Sequence, residues 1–197
     1  MSASSARRLL RLAATEEVRL TRHLLVAAAL REVLSAEPIV VGGTAEEFYT
    51  VDEYHETDLD LCCSLTGDEE SALADLGFER QGRHWVHVAS KVPVEFPESR
   101  IDGDEGRVRR EPVGPGQATI IGVEDLYLDR VRQATIDPRG DTVSEHSARA
   151  IAAATFEVMD WPYVEAQVEA TNQSDPRLGR LMQDVDRRVR RAIRRLT

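Results

Sequence analysis

The sequence predicts an α/β (α+β) protein in which a small mixed β-sheet is flanked by helices. Leucine and alanine residues recur at helical spacing through residues 5–35. Short apolar runs separated by Gly, Pro and charged residues follow between residues 38 and 121, a pattern typical of strands. From Ser144 onward the spacing is helical again. We therefore expect an N-terminal helical segment at 1–37, a sheet-containing core at 38–134 and a helical C-terminal tail at 135–197.

The N-terminal helical segment is predicted to contain a break. Ala14 and Thr15 interrupt the leucine pattern, and we expect Thr15 to cap a second helix. After this segment, Pro38–Val41 is predicted to form a short buried strand. The strand runs into a turn at Gly42-Gly43, and a helix is expected to begin directly after it at Thr44–Tyr49.

Further elements follow from short alternating or periodic stretches. The predicted strands are Asp58–Ser64, His84–Val88, Val92–Phe96 and Ala118–Ile121, and the predicted helices are 68–76 and 124–134. The second and third of these strands are expected to pair with each other. Residues 51–57 are predicted to be a loop, and residues 98–116 an exposed excursion rich in Gly, Pro and charge. The C-terminal helical pattern breaks at two prolines, Pro162 and Pro176.

The composition narrows the classes of function. The net charge is −10, so an RNA partner would need a local basic patch. No apolar run reaches the ~18–20 residues that cross a bilayer, so we expect no membrane partner and a cytoplasmic location. The cysteines Cys62 and Cys63 are neighbours in sequence. That placement argues against a disulfide framework or a zinc site and favours two residues that line the core.

The turn at Gly42-Gly43 is the first candidate for chemistry. Two glycines between a strand and a helix let backbone N–H groups approach a phosphate at the positive end of the helix. Thr44 can cap this helix or donate its hydroxyl to a phosphate. Paired glycines are also common in ordinary turns, so this motif alone does not decide between a phosphate site and simple turn geometry.

Acidic residues in two predicted strands are the second candidate. Residues two apart share one face of a strand, so Asp58 and Asp60 project side by side and repel each other. A divalent cation compensates this repulsion, and magnesium prefers carboxylates, phosphate oxygens and water. If the strand of Glu95 lies beside that of Asp58, the three acids can hold two metal ions. The alternative is a set of solvated acids on surface strands.

Taken together, these motifs resemble the signature of the polymerase-β-like nucleotidyltransferase superfamily. The residues that carry the resemblance are Val41-Gly42-Gly43, Thr57-Asp58-Leu59-Asp60-Leu61 and Val94-Glu95-Phe96. The Gly-Gly-Thr-Ala and Thr-x-Asp-x-Asp details are similar to prokaryotic toxin-like members of the abortive-infection type and to uncharacterised members. The stretch Val123–Arg130 also resembles these proteins, so the resemblance covers about residues 38 to 132.

The resemblance implies a nucleotidyltransferase core at 38–134 and a role for each motif residue. Gly42, Gly43 and Thr44 would bind the nucleotide phosphates, with Arg130 reaching them from a helix. Asp58 and Asp60 would bind Mg²⁺ or Mn²⁺, and Glu95 would bind the catalytic metal and help to deprotonate the acceptor. An NTP is then the expected substrate, with RNA, a protein or a small molecule as acceptor and an antitoxin as partner in a toxin–antitoxin setting. The fourteen residues from Thr44 to Thr57 are a long connection for this family.

Histidines and C-terminal arginines are less informative. His84 and His87 are three apart and cannot share a strand face, so we interpret both as structural or surface groups. Six arginines between Arg187 and Arg195 lie beside an apolar stripe. They predict either an amphipathic helix with a solvated basic face or a contact for RNA.

Two other functions remain open at this stage. The fold could serve as a non-catalytic nucleotide-binding or protein-interaction module, although the complete set of three acids argues against lost activity. The Asp58-Leu59-Asp60 motif could alternatively bind the metal and diphosphate of a nucleotide-sugar glycosyltransferase. The glycine turn upstream and the short chain favour nucleotidyl transfer.

Overall fold

A computed structural model describes residues 2–50, 58–136 and 143–194. The helices are α1 (Ala3–Thr15), α2 (Arg19–Arg31), α3 (Gly42–Thr50), α4 (Gly67–Asp75), α5 (Val123–Ile136), α6 (Val143–Thr155), α7 (Trp161–Ser174) and α8 (Pro176–Ile193). The strands are β1 (Ile39–Val40), β2 (Leu59–Cys62), β3 (Phe78–Gln81), β4 (His84–His87), β5 (Val92–Glu95), β6 (Arg109–Val113) and β7 (Gly116–Ile120). This mixed sheet with flanking helices is the predicted fold class.

The chain divides into two compact units. The first comprises Met1–Phe48 and Asp52–Ile121, and the second comprises Tyr49–Val51 and Gly122–Thr197. The predicted loop at 51–57 lies outside the described residues. Within the described ranges no helix has the length and apolarity that a membrane crossing requires.

The first unit is a seven-stranded mixed sheet with the strand order β3-β4-β5-β2-β1-β7-β6. Strand β2 pairs in parallel with β5, and β1 in parallel with β7, whereas the other neighbours are antiparallel. Side chains alternate across β2, so Leu59 and Leu61 are fully buried while Asp60 is only half-buried. Helix α2 packs against β2, β5, β6 and β7 and covers one face of the sheet, and α1 packs on α2.

The second unit consists of α5 to α8 packed around a small core. Tyr127 is fully buried, and its hydroxyl donates a 2.8 Å hydrogen bond to Asp186. Helices α7 and α8 begin with prolines in their first turns, as predicted, because proline has no N–H for the helical ladder. Asp160 and Asp175 cap these two helices by accepting from backbone N–H groups.

Two local predictions were wrong, and one strand was missed. Thr15 does not cap α2, because its hydroxyl donates to the Leu12 carbonyl and the N-cap residue is Val18, which makes no side-chain cap. The region 98–116 is not only an excursion, since it contains β6, which pairs with β7 along its whole length. Strand β3 was not predicted. Cys62 and Cys63 are free and buried, as predicted, and burial raises the pKa of these thiols to about 11 and about 12.

Candidate functional site

Three neighbouring strands bring polar side chains to one row of the sheet. Asp60 on β2 is the registered partner of Glu95 on β5. On the other side of β5, Val94 pairs with Trp85, so His84 lies one step along, beside Glu95. Directly paired residues of neighbouring strands point to the same face. The sheet therefore gathers Asp60, Glu95 and His84 on the face opposite to the buried leucines of β2.

Asp58, one residue before β2, joins this row. The Nε2 atom of His84 lies 3.2 Å from Oδ2 of Asp58 and 3.5 Å from Oε2 of Glu95. The side chains of Asp58, His84 and Glu95 are 19%, 27% and 17% exposed, so each is shielded but reachable from solvent. We call Asp58, Asp60, His84 and Glu95 the acid face. One donor atom from each of Asp58, His84 and Glu95 lies within 4.8 Å of the others, an arrangement that could hold a metal ion.

The glycine turn meets the acid face at Asp60. Gly42 has a φ of +61°, which L-residues with a side chain rarely adopt, and a Cβ at this position would overlap the Asp60 carboxylate. The turn is held to β2 by a 3.0 Å hydrogen bond from the Val41 N–H to the Asp60 carbonyl. Helix α3 starts at Gly42, so its N-terminal N–H groups begin beside this carboxylate. The sequence-predicted phosphate turn and acid pair are thus in contact.

Thr44 faces inward from the first turn of α3. Its side chain is buried, and its hydroxyl lies 3.1 Å from Nδ1 of His23 and donates a 3.3 Å hydrogen bond to the Asp58 carbonyl. Burial lowers the pKa of His23 to about 4, with Arg19 and Arg22 adding repulsion, so this ring is neutral at pH 7. Thr44 therefore tethers α3 to the backbone of Asp58. A contribution of its hydroxyl to nucleotide binding stays a prediction.

Arg83 is the cation beside the acid face. It sits in the turn between β3 and β4, and its Nε lies 3.2 Å from Oε2 of Glu95 and 3.4 Å from Nε2 of His84. Its side chain is 71% exposed, so its guanidinium group is free to move away when another cation or an anionic ligand arrives.

The two remaining predicted site residues are Gly43 and Arg130. Gly43 is buried in the first turn of α3. Arg130 belongs to the second unit, where its guanidinium contacts Oδ2 of Asp129 at 3.2 Å and Oε1 of Gln133 at 3.1 Å. The proposed reach of Arg130 to nucleotide phosphates stays a prediction.

His84 is the residue that sequence reasoning set aside. The two histidines do lie on opposite faces, as predicted, and His87 is buried with its Nδ1 2.7 Å from the Ser90 hydroxyl. His84, by contrast, joins the acids. The available signal was the predicted pairing of its strand with that of Glu95. The register of that pairing, which depends on the turn at Lys91 with its φ of +58°, was needed to place the imidazole beside the carboxylate.

The fold of the chain is similar to that of a solved nucleotidyltransferase-like protein. No family model and no curated protein matches the sequence. A similar solved structure is the crystal structure of an antigenic nucleotidyltransferase-like protein from Paracoccidioides brasiliensis, with a TM-score of 0.53 and 13% identity over 83% of this chain and 92% of that chain. The solution structure of the antibiotic-resistance factor ANT(2'')-Ia gives a TM-score of 0.48 and 13% identity over 79% of this chain and 92% of that chain. At such low identity the likeness establishes the fold alone.

Proposed function

We propose that this protein is a metal-dependent nucleotidyltransferase that moves a nucleoside monophosphate from an NTP to a hydroxyl acceptor. The observation that carries the proposal is the junction of two motifs on one sheet face. Gly42 has no room for a side chain because the Asp60 carboxylate fills that space, and Asp60 is registered beside Glu95. A strand-to-helix turn that meets acids in this way suits a triphosphate held together with divalent cations.

The proposed roles follow from this geometry. Asp58 and Glu95, whose donor atoms converge, would hold the divalent cation, Mg²⁺ or Mn²⁺, together with Asp60, which is registered beside Glu95. Gly42 and Gly43 present the N-terminal N–H groups of α3 to the phosphates. When bound, the cation neutralises the triphosphate and favours ionisation of the acceptor hydroxyl. Thr44 acts through its tether to the Asp58 backbone, and Arg130 remains a further candidate for contact with the phosphates.

The reaction balances without any further reactant. The acceptor oxygen forms a bond to the α-phosphorus, and the bond from that phosphorus to the oxygen bridging to the β-phosphate breaks. Pyrophosphate leaves with the electron pair of the broken bond. Glu95, half-buried on the acid face, would accept the proton of the acceptor hydroxyl.

The acceptor and the biological setting belong to the same proposal. The similarity of the Gly-Gly-Thr-Ala and Asp-x-Asp motifs to toxin-like members supports RNA or a protein side chain as acceptor and an antitoxin as partner, with a small molecule as the third acceptor class. A neighbouring gene whose product binds this protein and suppresses its effect on growth would support the toxin–antitoxin setting.

The direct test is transfer of label from each of the four α-³²P-labelled NTPs to total RNA, cell-extract protein and small molecules. We expect label on one acceptor class with wild type, none after EDTA, and none with Asp60→Asn. Asp75→Asn is the matched control, because Asp75 is an exposed acid at the end of α4. Transfer from labelled nucleotide sugars instead would establish the glycosyltransferase alternative. NTP binding that ignores EDTA, with no transfer to any acceptor, would establish a non-catalytic binding module.

A further inference from the structure

His84 introduces a nitrogen donor into a site that the three acids alone would make entirely of oxygen. Its Nε2 lies close to carboxylate oxygens of both Asp58 and Glu95, and the backbone position of His84 is set by the pairing of β4 with β5. The pairing of the strands therefore sets where the imidazole joins the acid face, and its side chain is only 27% exposed. Its placement calls for a chemical role within the acid face.

The distances fit a shared cation. Donor atoms bound at right angles to one ion, each at about 2.0–2.2 Å, lie about 3 Å apart. The Nε2 atom of His84 lies 3.2 Å from the Asp58 oxygen and 3.5 Å from the Glu95 oxygen, close to this separation. The Arg83 guanidinium group, which lies 3.2 Å from Glu95, is on an exposed side chain and can move away from the carboxylate when a metal ion binds. Among the described residues, Asp58, His84 and Glu95 form the one group whose donor atoms converge in this way.

We infer that His84 is a direct metal ligand, and that it makes the site prefer a first-row transition ion such as Mn²⁺ over Mg²⁺. Magnesium binds oxygen ligands almost exclusively and dehydrates reluctantly. An imidazole nitrogen is a softer donor and strengthens binding of transition ions. The inference rests on the metal site of the proposed function and names a ligand and a selectivity that the three-acid motif does not contain.

Pulsed electron paramagnetic resonance tests the ligand directly. With one equivalent of Mn²⁺ and unlabelled protein, we expect a ¹⁴N coupling typical of a bound imidazole, replaced by a ¹⁵N coupling in ¹⁵N-labelled protein. The coupling should disappear in His84→Gln and persist in His146→Gln, whose histidine is exposed on α6. Wild-type Mn²⁺ bound at the acid face without any nitrogen coupling would overturn the inference, whether or not the variant folds.

Metal competition tests the selectivity. Calorimetry should show wild type binding Mn²⁺ at least about tenfold more tightly than Mg²⁺, and His84→Gln should reduce this ratio to about threefold or less, because the variant keeps only oxygen donors. An unchanged ratio in His84→Gln, with circular dichroism showing an intact fold, would contradict the inference. These readouts require no catalysis. An all-oxygen site that still supports nucleotide transfer would refute the role of His84 alone, and a nitrogen-ligated site without transfer would refute the proposed function alone.

Discussion

The acid face and the C-terminal arginines are both concentrations of like charge, but their charged groups are arranged differently. On α8, three of the arginines each contact an acid. The pairs are Arg187 with Asp184 at 3.1 Å, Arg188 with Glu145 at 2.8 Å, and Arg190 with Asp186 at 2.9 Å. On the acid face, the carboxylates of Asp58 and Glu95 instead converge on one imidazole, that of His84, with Arg83 also 3.2 Å from Glu95.

This difference distinguishes arginines that already have partners from the carboxylates to which we assign the proposed metal site. Arginines that are paired with acids in this way contribute modestly to the stability of the fold. Carboxylates that are gathered from positions far apart in sequence repel one another unless a cation joins them.

The largest expected effect is on the acid face. Asp60→Asn keeps the shape of the side chain but removes one negative charge from the proposed metal site. Transfer of nucleotide should fall by at least ~10²-fold, because metal positioning supplies most of phosphoryl-transfer catalysis. The free energy of unfolding should change by less than about 1 kcal/mol, since the change is isosteric and relieves repulsion between neighbouring acids. Urea denaturation and the label-transfer assay measure the two quantities, and a stable variant with full activity would remove Asp60 from the proposed site.

The next largest effect is expected for Gly42→Ala, and Gly82→Ala is its matched control. Both glycines have positive φ, +61° and +64°, but only Gly42 faces the Asp60 carboxylate, whereas a Cβ at Gly82 meets nothing within 4 Å. We expect the unfolding free energy to fall by about 1 kcal/mol in Gly82→Ala and by about 2–4 kcal/mol in Gly42→Ala. Only Gly42→Ala should lose nucleotide transfer. Equal losses of unfolding free energy in the two variants would show that the close approach of Gly42 to Asp60 does not affect stability.

Breaking an ion pair of the C-terminal arginines should have a smaller effect, and this effect should fall on the stability of the fold. Arg188→Ala leaves Glu145, whose side chain is only 10% exposed, with Arg149 as its remaining partner. The unfolding free energy at pH 7 should fall by about 1–2 kcal/mol. Arg187→Ala, whose pair with Asp184 is mostly exposed, should change it by less than about 0.5 kcal/mol. Similar losses from the two substitutions would contradict a special role for the shielded carboxylate.

The pH dependence of stability provides a second test of the ion pair between Arg188 and Glu145. Hydrogen bonds from Arg188 and Arg149 hold the pKa of Glu145 below its ordinary value of 4.5. A lowered folded-state pKa stabilises the protein above the unfolded-state pKa, and this stabilisation is lost as the pH falls through the folded-state pKa. The difference in unfolding free energy between wild type and Arg188→Ala should therefore shrink below about pH 4.5 in chemical denaturation experiments. A difference that grows on acidification would have the wrong sign for this pair.

The smallest effect is expected at Arg191, an exposed residue of the C-terminal arginine run. If the run contacts an RNA acceptor, Arg191→Ala should weaken RNA binding and lower the slope of log affinity against log salt by about one. NTP binding should stay intact. If the run is a solvated face, RNA binding and its salt slope should both stay at the wild-type values. Arg187→Ala provides the comparison with an arginine that has an acid beside it.

The sequence was sufficient to predict the central strands of the sheet, but it was not sufficient to predict the two edge strands. The alternation around Asp60 and the apolar neighbours of Glu95 predicted β2 and β5, and their predicted adjacency is confirmed. The missed strands, β3 and the charged β6, are the two edges of the sheet. Edge strands bury little and carry polar residues on both faces, so they lack the periodic signal that identifies a central strand.

Within the candidate site, local motifs were visible and their relative placement was not. The glycine turn and the acid pair each have a short-range signature, because a positive φ and a strand alternation are local properties. The entry of His84 depends on the pairing of two strands, and the inward turn of the Thr44 hydroxyl depends on a histidine 21 residues earlier. No local pattern encodes such long-range contacts.

The row that joins Asp60, Glu95 and His84 also has a consequence for how this protein can evolve. Because side chains alternate along a strand, a shift of one residue between β4 and β5 would turn His84 into the interior and bring Trp85 out beside the acids. Substitutions in the connecting turn are compatible with the row, whereas a single-residue insertion or deletion there is not. Sequence comparison across distant relatives should therefore find the eleven-residue separation between positions 84 and 95 kept constant, even where the residues of the turn differ.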